Sequence, residues 1–218
     1  MVYPSKLSRE IVVGSALSLI RQQGVDALGM RAVAARLAVR PASLYKHVVD
    51  LAGLQSLLAE HAALDLLTAI DAAIARAPRS ANGESPKMPM LFMANEYLRF
   101  AREQPALYAM LTSDTTRLPI TASSSLAAPA ASSIPQASRA ALWKRLLQVV
   151  GDLTGSADDA DAAVALWAFL HGFIALERGG MFGASGSKGG FARGVKAMAA
   201  GLRRPASGGY PVISDSVT

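Results

Sequence analysis

Arg31, Arg40, Ser43, Tyr45, Lys46 and His47 crowd into residues 31–47, and each carries a hydrogen-bond donor. A guanidinium suits either guanine O6/N7 or a phosphate. Hydroxyl and ammonium groups suit phosphate oxygens, contacts that position a protein on a duplex while base edges specify sequence. Pro41 and Ala42 lie among these donors and offer small apolar surfaces of the kind that meets a thymine methyl. These eight residues are the candidate contacts to double-stranded DNA. Arg31 and Arg40 suit bases or phosphates, and Ser43 and Tyr45 suit phosphates. The competing reading for each is a solvated surface side chain, and Leu44 is expected to turn inward as core.

Two short helices must hold this set in place. In LGMRAVAARLAVRPASLYKHVVD (28–50), Val33, Ala34 and Leu37 keep helical spacing, and the pattern breaks at Ala38-Val39-Arg40. Pro41 then occupies a first helical position, where proline is tolerated. A second short helix follows through Leu44, Tyr45 and Val48. Two such helices joined by a tight turn form a helix-turn-helix, whose second member can enter the major groove. An earlier helix is predicted from about Ser8 to Gln23. Ser8 is its N-cap, Leu7 staples onto Val12, and Val12, Ser15, Ala16, Leu19 and Ile20 form its buried stripe. Gly24 supplies the stop. Residues 1–50 thus read as a three-helix head.

Charge supports an anionic partner. The 218 residues carry 22 Lys and Arg against 16 Asp and Glu, a formal charge of +6. Within residues 1–50, Lys6, Arg9, Arg21, Arg31, Arg36, Arg40 and Lys46 oppose only Glu10, Asp26 and Asp50. The chain has no cysteine, which excludes disulfides and thiolate metal sites. His47, His61 and His171 are its only histidines and show no metal-ligand spacing, so no cofactor is expected. The first ten residues lack a signal-peptide core, and no uninterrupted apolar run approaches the ~20 residues that span a bilayer. A soluble cytoplasmic protein without a membrane partner is expected.

The remainder reads as helical throughout. A linking helix is predicted over 51–76, with Leu54, Leu57, Leu58, His61, Leu64 and Ile70 near one face. Breakers over 77–89 mark a loop. A helical body spans 77–203, and 204–218 reads as an unstructured tail. In the body, helices carry Leu91, Met93, Ala94, Tyr97, Leu98 and Ala101, then Leu107, Tyr108 and Leu111 after Pro105, then residues 138–153. Residues 115–138, rich in Ser, Ala, Thr and Pro, read as an extended connection. Ser156 is the expected cap of the next helix, with Asp159 completing a capping box. That helix is apolar on both sides: Leu166, Trp167, Leu170 and Ile174 on one, Phe169, Phe173 and Leu176 on the other. A second subunit is the expected cover for one side. Phe191, Val195, Met198, Ala199 and Leu202 mark a final helix. With no alternating β pattern, the fold class is all-α: a helix-turn-helix head on a larger helical domain.

The span from Lys6 to Leu58 resembles the DNA-binding head of the tetracycline-repressor (TetR/AcrR) family. SREIVVGSALSLIRQQG, LGMRAVAARLAV and ASLYKHV carry the likeness, with Leu44-Tyr45-x-His47 its most specific element. ALWAFLHGFIALERGGMF (165–182) resembles the Trp-x-x-x-His-Gly signature of one C-terminal subfamily, carried by Trp167, His171 and Gly172. The resemblance implies a ligand-responsive transcription factor, usually a repressor. It also implies a homodimer held by its last two long helices, here through Phe169, Phe173, Leu176, Val195, Met198 and Leu202. A small apolar or amphipathic ligand would meet Met93, Tyr97, Tyr108, Trp143, Trp167 and His171; Met90 and Phe173 are further apolar candidates.

Four positions depart from the family pattern. Ala38 replaces the turn glycine, so the turn is expected to form without easy positive-φ geometry. Gly29 replaces a capping hydroxyl, Val48 an aromatic, and Leu51 a basic residue that would contact phosphate. Two other classes compete with the regulator. An enzyme built on His171 lacks any nucleophile, phosphate-loop or metal motif in support. An adaptor binding protein or an anionic surface leaves the donors of residues 31–47 unexplained.

Overall fold

A computed structural model describes residues 7–78, 88–112 and 137–203. Among these residues all regular structure is helical: α1 Arg9–Gln23, α2 Met30–Arg36, α3 Pro41–Leu44, α4 Leu51–Ala75, α5 Pro89–Glu103, α6 Pro105–Leu111, α7 Ala137–Thr154, α8 Ala160–Arg178 and α9 Gly190–Leu202. A 3-10 turn, Val25–Ala27, joins α1 to α2. Most of the loop and connection expected over 77–89 and 115–138, and the tail 204–218, lie outside the described residues. The chain divides into two compact units between Leu146 and Leu147.

In the first unit α1 begins as its sequence dictates. The Ser8 hydroxyl accepts from the Ile11 N–H at 3.3 Å, and Gly24, at φ +83°, ends the helix by donating to the Ile20 carbonyl. Val12, Ala16, Leu17, Leu19 and Ile20 are buried. Ser15 belongs to the same stripe, and its buried Oγ has no partner among the described residues.

The turn between α2 and α3 departs from expectation. Ala38 sits at φ +54°, in the left-handed region. Its N–H donates to the Ala35 carbonyl at 3.1 Å and the Val39 N–H to the Ala34 carbonyl at 3.0 Å. That pair of bonds is the Schellman closure, which satisfies the orphan carbonyls of α2 and requires positive φ at this position. The turn therefore keeps the glycine geometry on an alanine. The left-handed conformation costs an L-residue roughly 1–2 kcal/mol, of which glycine's greater unfolded-state freedom would return about 0.5–1. Ala38→Gly is expected to stabilise the protein by about 0.5–1 kcal/mol, seen as a higher urea midpoint at unchanged slope.

The side chain of Asp50 caps α4, accepting from the Gly53 N–H at 2.7 Å. Leu54, Leu58, Ala62, Leu66, Ile70 and Ala73 run down its buried face at helical spacing. Leu64, placed on that face by the sequence reading, is 50% exposed. Two residues from Leu66 is about 160° round the helix, which puts it on the opposite side. α4 packs against α1 and also against α5 and α6, so it joins the head to the helices that follow in the first unit. α7 is tied to it by two ion pairs. Arg139 Nε donates to Glu60 Oε1 at 2.7 Å, and the Ser138 N–H donates to Glu60 Oε2 at 2.8 Å. Arg139 is only 2% exposed. Farther along, Arg145 meets Asp71 at 2.7 Å. On α5, the buried Glu96 pairs with Arg99, which also reaches Glu103.

In the second unit the cap of α8 is Asp159, whose carboxylate accepts from the Ala162 N–H at 3.1 Å. Ser156 lies a turn earlier, after Gly155 at φ +75°, and uses its carbonyl for the Asp159 N–H. The expected cap therefore shifts by three residues. Ala162, Ala163, Leu166, Leu170 and Ile174 are buried along α8. Phe169 and Phe173 gather with Phe182 and Phe191, ring centroids 4.9–6.1 Å apart. Gly194 admits the Phe169 ring against α9: a Cβ there would collide with its Cζ. Phe191, Val195 and Ala199 are buried along α9. By length and composition α8 alone among the described helices is apolar enough to cross a membrane.

Candidate nucleic-acid interface

Leu44 (0% exposed) and Val48 (4%) anchor the recognition segment at i and i+4, facing inward. Pro41 opens α3 with Arg40 extended before it as N-cap. The chain stays coiled past Leu44, because the Leu44 carbonyl accepts from both the His47 and Val48 N–H groups, at 2.8 and 3.0 Å. With those two residues turned in, the rest of the segment turns out. Arg40, Pro41, Ala42, Tyr45 and Lys46 are exposed, as is Arg31 on α2; Ser43 and His47 are half-buried. All eight sequence-derived candidates therefore have solvent access, and the expected core residue is core. Gly29 caps α2 without a side-chain bond.

The segment is braced by residues that the sequence reading counted only as charge. Arg9 Nε, in the first turn of α1, donates to the His47 carbonyl at 3.2 Å. Arg36 Nη1 donates to Gln22 Oε1 at 3.0 Å, joining α2 to α1. Arg21 reaches Asp65 at 3.8 Å, and His61 lies 3.5 Å from the same carboxylate, so α1 is also pinned to α4. One signal for Arg9 was present in the sequence. A cation in the first turn opposes the helix dipole, so its position asks for another partner. The neighbouring Glu10 carboxyl is held below its ordinary range, first by the Ser8 hydroxyl and its own backbone N–H, then by Arg9 and His47.

In the first unit, the ligand candidates Met93, Tyr97, Tyr108 and Trp143 are all buried. Tyr97 and Tyr108 meet edge to face, with centroids 5.9 Å apart. Trp167 and His171, in the second unit, are half-buried on α8 with ring centroids 5.8 Å apart. Burial pushes the His171 imidazole below its ordinary value. The folded protein thus favours neutral His171, so its contribution is complete above about pH 6.5 and falls away as pH drops through that value. Replacing His171 by Gln is expected to flatten this part of the stability–pH profile, measured by thermal unfolding between pH 5 and 8. Among the dimerisation candidates, Leu176 is 48% exposed, Phe169, Phe173, Met198 and Leu202 are half-buried, and Val195 is wholly buried in its own unit. Among the described residues no group of three or more His, Cys, Asp or Glu is placed to hold a metal ion.

A braced helix-turn-helix with an exposed row of donors, among described residues whose regular structure is all helical, is the arrangement of a DNA-binding regulator. Two family descriptions match: "Bacterial regulatory proteins, tetR family" over residues 13–47, and "Tetracyclin repressor-like, C-terminal domain" over residues 90–198. The chain belongs to the TetR family of transcriptional regulators, which are not enzymes. The C-terminal match is to this repressor-like domain and leaves the Trp-His-Gly subgroup without support.

The uncharacterized HTH-type transcriptional regulator Rv0681 of Mycobacterium tuberculosis is 28% identical over 92% of this chain and 84% of its own length. YobS of Bacillus subtilis, likewise an HTH-type regulator, is 33% identical over 47% of this chain and 50% of its own. Among solved structures, a Rhodococcus protein of unknown function superposes with a TM-score of 0.70 at 23% identity, covering 94% of this chain and 100% of that one. A TetR variant from Acinetobacter baumannii, solved in complex with minocycline, gives 0.63 at 19% identity, covering 92% and 100%.

Proposed function

We propose that this DNA-binding regulator is a homodimeric repressor that leaves a palindromic operator when a small apolar or amphipathic molecule binds. Arg31, Arg40, Pro41, Ala42, Ser43, Tyr45, Lys46 and His47 make the DNA contacts. Met93, Tyr97, Tyr108 and Trp143 in the first unit, and Trp167 and His171 in the second, are each candidates to touch the ligand. The observation that carries the dimer is the end of the apolar, phenylalanine-bearing side of α8: Phe169 and Phe173 pack on α9 yet stay half-buried, and Leu176 beside them is 48% exposed. An exposed apolar patch of this kind marks an interaction surface. A second copy is the partner that fits this motif, because in dimeric helix-turn-helix proteins paired heads meet half-sites one helical turn apart. A regulator that works on DNA has to meet the chromosome, which supports a cytoplasmic location.

Leu176→Lys tests this reading. Sedimentation is expected to show the wild-type protein at twice the 22.7 kDa chain mass and the variant at the chain mass, with operator affinity reduced at least tenfold. A variant that remains dimeric and binds normally would remove α8 from the interface. A compound that raises the melting temperature is expected to weaken operator binding, and operator to weaken compound binding by the same factor.

A further inference from the structure

The brace between α1 and the recognition segment points to a DNA-facing residue outside the helix-turn-helix. Arg9 Nε spends one of five guanidinium N–H groups on the His47 carbonyl, leaving four on the two Nη atoms. His47 ends the row Ser43, Tyr45, Lys46, His47, and Arg9 is exposed. A guanidinium is planar and rigid, so anchoring Nε fixes where both Nη atoms sit, beside the last of the candidate DNA contacts. The Arg9–His47 bond joins residues 38 positions apart, so it also sets how the end of the segment lies against α1. Glu10 shares this corner as a counter-charge to Arg9 and His47.

We infer that Arg9 bridges the His47 carbonyl and a DNA phosphate, positioning the recognition segment from the first turn of α1. The inference rests on the DNA-binding reading and adds a residue to that interface. Each bridging arginine adds one phosphate neutralisation, about 0.9 in the slope of log affinity against log salt concentration and so about 1.8 for a bound dimer. A residue that merely supported the fold would lower stability and leave the slope alone.

The test compares wild-type protein, Arg9→Gln and Arg9→Lys on duplex DNA between 50 and 300 mM salt, with urea unfolding of each in parallel. Arg9→Gln is expected to flatten the slope by about 1.8 per bound dimer, about 0.9 for each head, and to lose about fivefold or more in affinity at 150 mM salt while remaining folded. Arg9→Lys is expected to keep the wild-type slope, since an ammonium still neutralises a phosphate, but to bind less tightly than the wild type. An unchanged slope in folded Arg9→Gln overturns the bridge. Wild-type protein that binds no duplex refutes the DNA-binding reading itself, a different failure. Slopes on a non-specific duplex decide the Arg9 assignment even if no consensus site emerges.

Discussion

Glu60→Ala is expected to destabilise the protein by about 3–5 kcal/mol, the largest single-residue effect predicted for this chain. The Glu60 carboxylate is buried and uses both oxygens, one on Arg139 Nε at 2.7 Å and one on the Ser138 N–H at 2.8 Å. Removing it leaves the Arg139 guanidinium, 2% exposed, without its counter-charge, and leaves an N–H at the start of α7 unpaired. Most of the loss comes from desolvation of the stranded cation, and the attraction forgone is the smaller part. Glu60→Leu combined with Arg139→Met should therefore recover most of the deficit, because no charge stays buried. Urea unfolding of the wild type, both single variants and the double variant measures this directly. If the double variant falls by the sum of the singles, stranded charge is not the cause.

The second large effect concerns DNA. Arg40→Ala with Lys46→Ala is expected to lower operator affinity by a hundredfold or more. A base-contacting arginine is worth about 1–3 kcal/mol, and a phosphate-contacting lysine contributes about one unit of salt slope. Both side chains are exposed, and it is Leu44 and Val48 that hold the segment against the core. The thermal transition should accordingly stay within a few degrees of the wild type. Fluorescence anisotropy with a labelled operator at two salt concentrations separates the contributions: loss of Arg40 should relax base preference, and loss of Lys46 should flatten the salt dependence. Equal affinity in the double variant would place the DNA-binding surface elsewhere.

The helix-turn-helix was legible because its signals are local. Pro41 marks a helix start, Leu44 and Val48 mark an inward face, and the donors between them have only one direction left. The break at Ala38 was legible too, but its geometry was not. Nothing in an alanine announces positive φ, and the conformation is selected by two carbonyls of α2 that need closing. The start of α8 shows a similar limit. Ser156 and Asp159 are both good caps, and the choice depends on the turn after Gly155. Leu64 was misplaced because its neighbours are almost all Leu and Ala, so apolar periodicity barely distinguishes the faces of α4.

Long-range polar pairs were out of reach. Glu60 and Arg139 lie 79 positions apart, and Arg9 and His47 lie 38 apart, distances over which no repeat or spacing links two side chains. Such pairs emerge only when the packing of α4 and α1 brings them together. The phenylalanine cluster of α8 and α9 stands between the two cases. Its apolar content was evident, whereas the close fit of Phe169 over Gly194 depended on how the helices cross.

Selection of DNA from a random duplex pool by the purified full-length protein tests the central claim most directly. The predicted result is an inverted repeat whose half-sites lie about one helical turn apart, bound by two protomers and lost in the Arg40/Lys46 double variant. Enrichment of no sequence, with binding that depends only on salt, would contradict sequence-specific recognition by this head.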